Sequence, residues 1–350
     1  MDREQARRLY RQGLPALSEA ASEVRYRKHP AKVVSFAIQR TINYTNVCNA
    51  YCSFCSFYRP PGSPEGYLLS DDEIMRKIEE SIAQGVSGIL IQGGDHPELK
   101  IDYYEALLRK VKQRFRVDCH SFSASEIWNL AEVSGLTLEQ AIGRLHEAGL
   151  DSIPGAGAEI LDDEVRNRIS PLKLNSDQWI AVHRTAHRMG LPTTATMVFG
   201  FGETLEHRLN HLDRLRQLQD ETGGFVAMIV WPYQTGRQHP AILPREKPTD
   251  KEYLSMQALT RVYLENFENL QASWLTVGLE TGRRALDFGA NDAGSVILEE
   301  NVIEGAPDSL SAGEEQLRRN IELAGFTPME RNSTYSRRAR SLRGSAAVLV

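Results

Sequence analysis

Apolar, β-branched runs alternate along the chain with helical patterns. The runs Val33–Thr45, Gly88–Gln92, Val117–Phe122, Ser152–Pro154, Thr193–Phe199, Phe225–Trp231, Ala272–Val277 and Ala285–Phe288 read as eight strands. The helices between them have recognisable ends. Ser70-Asp-Asp-Glu73 is a capping box, Ile74, Ile78 and Ile82 share one face, and Gly85 is the stop. Thr137-Leu-Glu-Gln140 repeats the device, with Ala141, Leu145 and Ala148 as the stripe and Gly149 as the stop. Leu205, Leu209, Leu212 and Leu215 mark a further helix, and Gly190 ends another.

Strand–helix alternation predicts an α/β fold of parallel strands with right-handed crossovers. Eight such units suit a closed (β/α)8 TIM-like barrel. A doubly wound open sheet and a partial (β/α)6 barrel are the alternatives. Residues 1–32 read as a helical lead-in, 33–330 as one barrel domain, and the Ser- and Arg-rich stretch 331–350 as a frayed, solvated tail. In such barrels active sites lie at the C-terminal ends of the strands. The loop after the first strand therefore falls on the functional face.

That loop carries Cys48-Asn-Ala-Tyr-Cys52-Ser-Phe-Cys55, three of the chain's four cysteines. The spacing also fits one helix face, where free cysteine packs as a small hydrophobe. The β-prone stretch before it and Pro60, Pro61, Gly62 and Pro64 after it leave a helix little room. Metal binding is the better reading. Zinc takes four ligands, and no fourth Cys or His lies nearby in sequence. A [4Fe–4S] cluster normally takes four cysteines, so with three one iron stays open to a substrate or cofactor. Cys119 sits in a strand and reads as a buried apolar residue. Composition changes little: 41% hydrophobic and 25% charged residues suit a chain with a sizeable core. A net charge of −5 gives no basic field for nucleic acid. The N-terminus lacks the apolar stretch of a signal peptide, and no run of eighteen apolar residues predicts a membrane span. Reduced cysteines fit the cytoplasm.

Other strand ends carry candidate chemistry. Gln92-Gly93-Gly94-Asp95-His96 allows close approach of a ligand to backbone, or is a plain turn. Ser121-Phe-Ser123-Ala-Ser125-Glu126 offers hydroxyls and a carboxylate, or a helix cap. Gly155-Ala-Gly157-Ala-Glu159 has room for a nucleoside, or places an acid in a first helical turn. Thr194, Thr196, Trp231, Gln234, Asn291 and Asp292 are candidates to line the barrel mouth around an organic substrate. His96 and His120 are the histidines nearest the presumed site and the candidate general bases.

C-x3-C-x2-C with Phe54 before the last cysteine resembles the radical S-adenosylmethionine (radical SAM) enzymes. The resemblance implies that Cys48, Cys52 and Cys55 hold a [4Fe–4S] cluster whose open iron chelates S-adenosylmethionine. Reductive cleavage then yields a 5′-deoxyadenosyl radical. It also implies cofactor-binding roles for Phe57, Tyr58, Gly93, Gly94, Asp95, Ser123, Glu126 and Glu159, with Asp95 standing where Glu is usual. Asn43-Tyr-Thr-Asn46, Phe57-Tyr-Arg59, Ile91-Gln-Gly-Gly94, Asp151-Ser-Ile-Pro-Gly155, Ala158-Glu-Ile-Leu161, Arg168-Ile-Ser-Pro171, Thr194-Ala-Thr196, Gln219-Asp-Glu-Thr-Gly-Gly224, Gln271-Ala-Ser-Trp274 and Gly289-Ala-Asn-Asp292 are together similar to the cyclic dehypoxanthine futalosine synthases. Ala156, Phe201-Gly202 and Thr235-Gly236 depart from that pattern. The likeness implies hydrogen abstraction from a ribose C4′ and addition of the carbon radical to the substrate's aromatic ring. Loss of one electron and one proton then completes the cyclisation, a step in menaquinone biosynthesis. It implies a nucleoside-derived substrate whose benzoate needs a cation, with Arg59 as candidate, and a low-potential electron donor of flavodoxin or ferredoxin type. Aminofutalosine synthase and the deazaflavin-forming radical enzymes are the related alternatives.

Overall fold

The computed structural model describes residues 1–86, 88–235, 243–244, 246–297 and 312–336. Eight parallel strands form one sheet: β1 (Val33–Ile42), β2 (Gly88–Ile91), β3 (Asp118–Cys119), β4 (Thr193–Phe199), β5 (Phe225–Pro232), β6 (Asn269–Gln271), β7 (Asp292–Ile297) and β8 (Thr327–Glu330). The order is β3-β2-β1-β7-β6-β5-β4, with β8 also paired to β1. The edge strands do not end free. Parallel bridges His120–Ser152 and Ile153–Thr193 link the β3 side to β4 through a two-residue segment. The sheet thus curls round on itself as a parallel barrel, thinly closed at that seam.

Among the described residues twelve helices surround it: α1 (Arg3–Gln12), α2 (Leu14–Lys28), α3 (Asp71–Ala83), α4 (Ile101–Arg114), α5 (Ala124–Ser134), α6 (Leu138–Ala148), α7 (Asp163–Ile169), α8 (Ser176–Arg188), α9 (Leu205–Thr222), α10 (Asp250–Tyr263), α11 (Trp274–Arg284) and α12 (Glu314–Leu323). The capping boxes read from sequence form: Ser70 with Glu73 starts α3 and Thr137 with Gln140 starts α6. Ile74, Ile78 and Ile82 are buried, as are Ala141, Leu145 and Ala148. α2 covers the base of the barrel, where the buried Arg25 donates to the carbonyls of Ala290 and Val33 at 3.2 and 3.3 Å.

Three sequence expectations are corrected. Ala272–Val277 is not a strand: it is the two-residue link after β6 and the first turn of α11. Ala285–Phe288 is a turn of 3-10 helix. Short apolar runs do not distinguish a strand from a buried helix end. The true seventh strand, Asp-Ala-Gly-Ser-Val-Ile, hides behind polar residues and a glycine, with a register shift in its pairing to β1. Of the stretch 331–350, expected as a solvated tail, the described residues 331–336 do not fit that reading. After β8 the chain folds back inside, with Arg331 and Ser333 each 2% exposed. Gly236 and residues 337–350 lie outside the described residues.

Candidate active site

The cysteine loop leaves the C-terminal end of β1 and is tied down from three sides. Cys48 N–H donates to Arg59 O at 3.0 Å, and Arg59 N–H to Asn46 O at 2.7 Å. Asn49 N–H reaches Asp95 O at 3.1 Å, and the amide and hydroxyl of Ser53 both donate to Ile169 O at 2.8 Å. The Arg59 guanidinium closes the loop on itself. Its Nη1 donates to the carbonyls of Ser56 and Tyr58 at 3.0 Å, and its Nε pairs with Glu65 at 2.5 Å. Arg59 therefore shapes the loop and does not face the cavity.

Cys48 and Cys52 are buried and Cys55 is half-buried. Cys48 Sγ accepts from the amides of Ala50 and Asp95 at 3.4 and 3.3 Å. Burial pushes the Cys48 thiol up to about 11 and that of Cys52 higher still, with the Lys173 ammonium opposing. Thiolates here need added positive charge, which bound iron provides.

The β2 turn packs directly beneath the loop. A Cβ on Gly94 would lie 2.3 Å from Val47 O and 2.7 Å from Cys48 Cβ. One on Gly93 would lie 2.8 Å from the Tyr44 ring. Glu126, expected at the cofactor, instead holds this turn. Its carboxylate accepts from Gly93 N–H at 2.9 Å and from the amide and hydroxyl of Ser123 at 2.7 Å, a capping box that starts α5. Asp95 is buried and accepts from Ser125 Oγ at 2.5 Å, and burial raises its carboxyl.

Across from Asp95 stands Glu159, with backbone in the left-handed region at φ 39°. Its Oε1 is 3.1 Å from Lys173 Nζ and its Oε2 3.5 Å from Arg166 Nη1. Burial alone would lower the Lys173 ammonium, but Glu159, Cys52 and Asp95 outweigh it and hold it charged. Nothing in the local sequence marks Lys173. It follows α7, and only the fold brings it to the cysteines.

These walls enclose a cavity of about 400 Å³ inside the barrel. The three cysteines, Phe57, Tyr58, Gly93, Gly94, Asp95, His120, Ser123, Glu159, Thr194, Thr196, Trp231 and Gln234 line it. Thr194 Oγ1 accepts from Gly155 N–H at 2.9 Å and Thr196 Oγ1 donates to Gly155 O at 2.6 Å, so both threonines also grip the Gly155 turn. His120 Nδ1 lies 2.7 Å from Ser152 Oγ, and burial, helped by Arg331, lowers the imidazole to about 3. It is neutral at physiological pH. The other candidates lie elsewhere. His96 Nδ1 accepts from Glu98 N–H at 3.2 Å outside the cavity lining. Asn291 accepts from Arg261 Nη2 at 2.6 Å and from Leu270 N–H at 2.9 Å. Asp292 pairs with Arg331 at 2.5 Å and is fully buried.

The radical SAM superfamily profile matches residues 42–215, and that of the CofH/MqnC C-terminal region matches residues 222–343. The chain belongs to the radical SAM superfamily. It is 44% identical over 320 residues to a cyclic dehypoxanthine futalosine synthase of Halalkalibacterium halodurans, covering 91% of this chain and 86% of that one. With the Streptomyces coelicolor protein of the same name it shares 41% over 337 residues, 95% and 84% of the two chains. The aminodeoxyfutalosine synthase of Thermus thermophilus is 37% identical over 327 residues, 92% and 88%. The crystal structure of methylornithine synthase (PylB) superposes with a TM-score of 0.67 at 18% identity, covering 93% of each chain, which speaks to the fold alone. The expected family resemblance and enzyme class are therefore met. A radical SAM domain implies a [4Fe–4S] cluster and S-adenosylmethionine. The residues fit: three thiols at one cavity mouth, sulfur-directed amides, and buried acids with a lysine beside them. No helix among the described residues is long and apolar enough to cross a membrane.

Proposed function

We propose that this enzyme cyclises dehypoxanthine futalosine to cyclic dehypoxanthine futalosine, a step of menaquinone biosynthesis. The observation that carries the reading is the 44% and 41% identity, over 91% and 95% of the chain, to two enzymes of that name. Cys48, Cys52 and Cys55 would hold the cluster, and bound S-adenosylmethionine would supply the radical chemistry by which one hydrogen leaves the ribose C4′ and, with loss of one electron back to the cluster and one proton, the ring closes.

The chain's own residues position and shield the reactants. Asp95 and Glu159 suit the methionine ammonium, and Lys173 suits its carboxylate. Gly93 and Gly94 line the cavity with bare backbone that a ligand can approach; a Cβ on Gly93 would strike Tyr44 and Thr45, and one on Gly94 would strike Val47 and Cys48. Phe57, Tyr58 and Ser123 complete that end. Thr194, Thr196, Trp231 and Gln234 border the substrate. Excluding water keeps the radical for one C–H bond. His120 lines the cavity as an uncharged hydrogen-bonding group with Nδ1 bonded to Ser152; the burial that lowers its imidazole to about 3 sets it against holding the proton released on ring closure. A low-potential flavodoxin or ferredoxin in the cytoplasm completes the system.

The test is anaerobic turnover of the reconstituted enzyme with dehypoxanthine futalosine, read by mass spectrometry. The expected products are 5′-deoxyadenosine and a cyclic compound two hydrogens lighter than the substrate. Incorporation of the adenosyl group into product, as an aminofutalosine synthase would do, overturns the reading. So does turnover only with the substrates of deazaflavin formation.

A further inference from the structure

The cavity has a floor that the barrel strands do not supply. After β8 the chain runs inward. Arg331 N–H donates to Phe36 O at 2.8 Å, midway along β1. Ser333 then reaches the N-terminal ends of β2 and β3. Its Oγ accepts from Gln39 Nε2 at 3.2 Å and crowds Gly88, and its amide points at Asp118 Oδ2, 3.4 Å away. This is the end of the barrel remote from the cysteine loop.

Arg331 lies at the centre of that floor and lines the cavity. Its Nε and Nη2 are held by Asp292 at 2.5 and 2.8 Å, and its Nη1 donates to Asn332 O at 3.0 Å. The Tyr335 ring stacks on its face at 3.7 Å. Asp292 is itself fixed by Ser35 Oγ at 2.5 Å and Gly294 N–H at 2.8 Å, and stands behind the arginine, outside the lining. The cavity therefore meets the cation with its counter-ion at the back. Around it Gln39 and Ser295 (2.5 Å) and Tyr335 and Gln271 (3.3 Å) hydrogen-bond one another.

Among the described lining residues the permanent cations are Lys173 and Arg331. Lys173 is shared by Asp95 and Glu159 at the cysteine end. Among the described residues no carboxylate of the floor enters the lining, and the guanidinium is opposed only by Asp292 behind it. A ligand with one anionic end is thus oriented with that end down. Arginine suits this position because it stays charged when buried; with its Nε–Nη2 edge held by Asp292, it has Nη1 hydrogen-bonding capacity left for a ligand carboxylate.

We infer that Arg331 binds the carboxylate of the substrate's aromatic acid unit and so points the ribose at the cysteine end. The assignment rests on the reaction proposed above. It replaces Arg59, which the loop consumes.

Removing Arg331 alone strands the buried Asp292 charge, so the test uses Asp292→Asn/Arg331→Met together with a substrate analogue. Wild-type holoenzyme is compared on dehypoxanthine futalosine and on its carboxamide, which keeps the shape and lacks the charge. We expect the acid to be preferred by roughly 100-fold in kcat/KM, the scale of losing a buried charge-paired contact. The double variant should lose about that factor on the acid, chiefly in KM, and treat acid and amide alike. Its binding of the acid by calorimetry should weaken in parallel. Its iron content after anaerobic reconstitution and its far-ultraviolet dichroism report whether it is folded and loaded. Wild type that accepts the amide as readily as the acid overturns the assignment even if the variant does not fold. So does a double variant that keeps the preference. Wild type that cleaves S-adenosylmethionine but converts neither compound overturns the reaction reading, and the assignment with it.

Discussion

Gly94→Ala tests the idea that the β2 turn is the seat of the cluster ligand. The new methyl would lie 2.3 Å from Val47 O, 2.7 Å from Cys48 Cβ and 2.8 Å from Val47 C. These atoms are backbone or next to it, so no flexible side-chain end can swing away. Relief requires the loop to lift by about 1 Å, and overpacking of this kind costs roughly 1–3 kcal/mol. The contacted segment is the cysteine loop, so the barrel itself survives with a melting temperature a few degrees lower, on the scale of about 2–4 °C per kcal/mol. The metal site is less forgiving, because ligand positions must hold within about 0.2 Å. Cys48 would also lose the amide of Asp95, now 3.3 Å from its sulfur. The assay is iron and sulfide per chain after anaerobic reconstitution, with 5′-deoxyadenosine formation and thermal melting. Wild type should hold about four irons, and Gly94→Ala well under one, with cleavage lost. Gly143→Ala is the control: it lies inside α6, its Cβ meets only the flexible end of Met189 at 3.2 Å, and it should change stability by less than about 1 kcal/mol. Gly94→Ala with a full cluster and wild-type cleavage would refute the argument.

Other outcomes follow from the same geometry. Cys52→Ser should abolish 5′-deoxyadenosine formation while leaving the far-ultraviolet dichroism unchanged; cleavage at the wild-type rate removes Cys52 from the ligand set. Lys173→Met should raise the KM for S-adenosylmethionine by about tenfold or more, on the scale of one lost charge-assisted contact, with iron content unaltered; Lys173→Arg should recover part of it, and an unchanged KM discards the role. His211 is buried with its Nδ1 accepting from Leu161 N–H at 2.9 Å, and burial lowers it to about 3. The unfolded chain binds that proton near pH 6.5 and the native chain does not, so stability is lost as pH falls below about 6.5, by roughly 2 kcal/mol at pH 5 from this residue. Denaturant unfolding at pH 7.5 and 5 should show that His211→Gln shrinks the drop by about this amount, and an identical drop in both proteins rejects it.

Much of the fold was legible because its codes are local. Capping boxes span four residues, and Ser70–Glu73 and Thr137–Gln140 did what their spacing implies. Six of the eight apolar runs fall on strands or on the bridge segment that closes the barrel. The misreadings lie late in the chain, where β6 has three residues and runs into α11 within one apolar stretch. There the periodicity carries too few residues to separate the two geometries.

The cysteine motif was legible in the chain because its three thiols lie within eight residues and can serve one site without help from distant segments. That Gly94 packs beneath that loop came from the folded structure. So did the identity of the charges that face the cavity. Arg59 is spent on carbonyls of its own loop, Glu126 on a turn amide, and Asp292 on holding Arg331. Lys173 and Arg331, which no motif announces, took the inward positions. A charged side chain's role depends on which partner packing brings within about 3 Å, and for Glu126 and Asp292 those partners, Gly93 and Arg331, lie tens of residues away along the chain. Spacing fixes a ligand set when its members are neighbours. It says nothing of ion pairs made across a barrel.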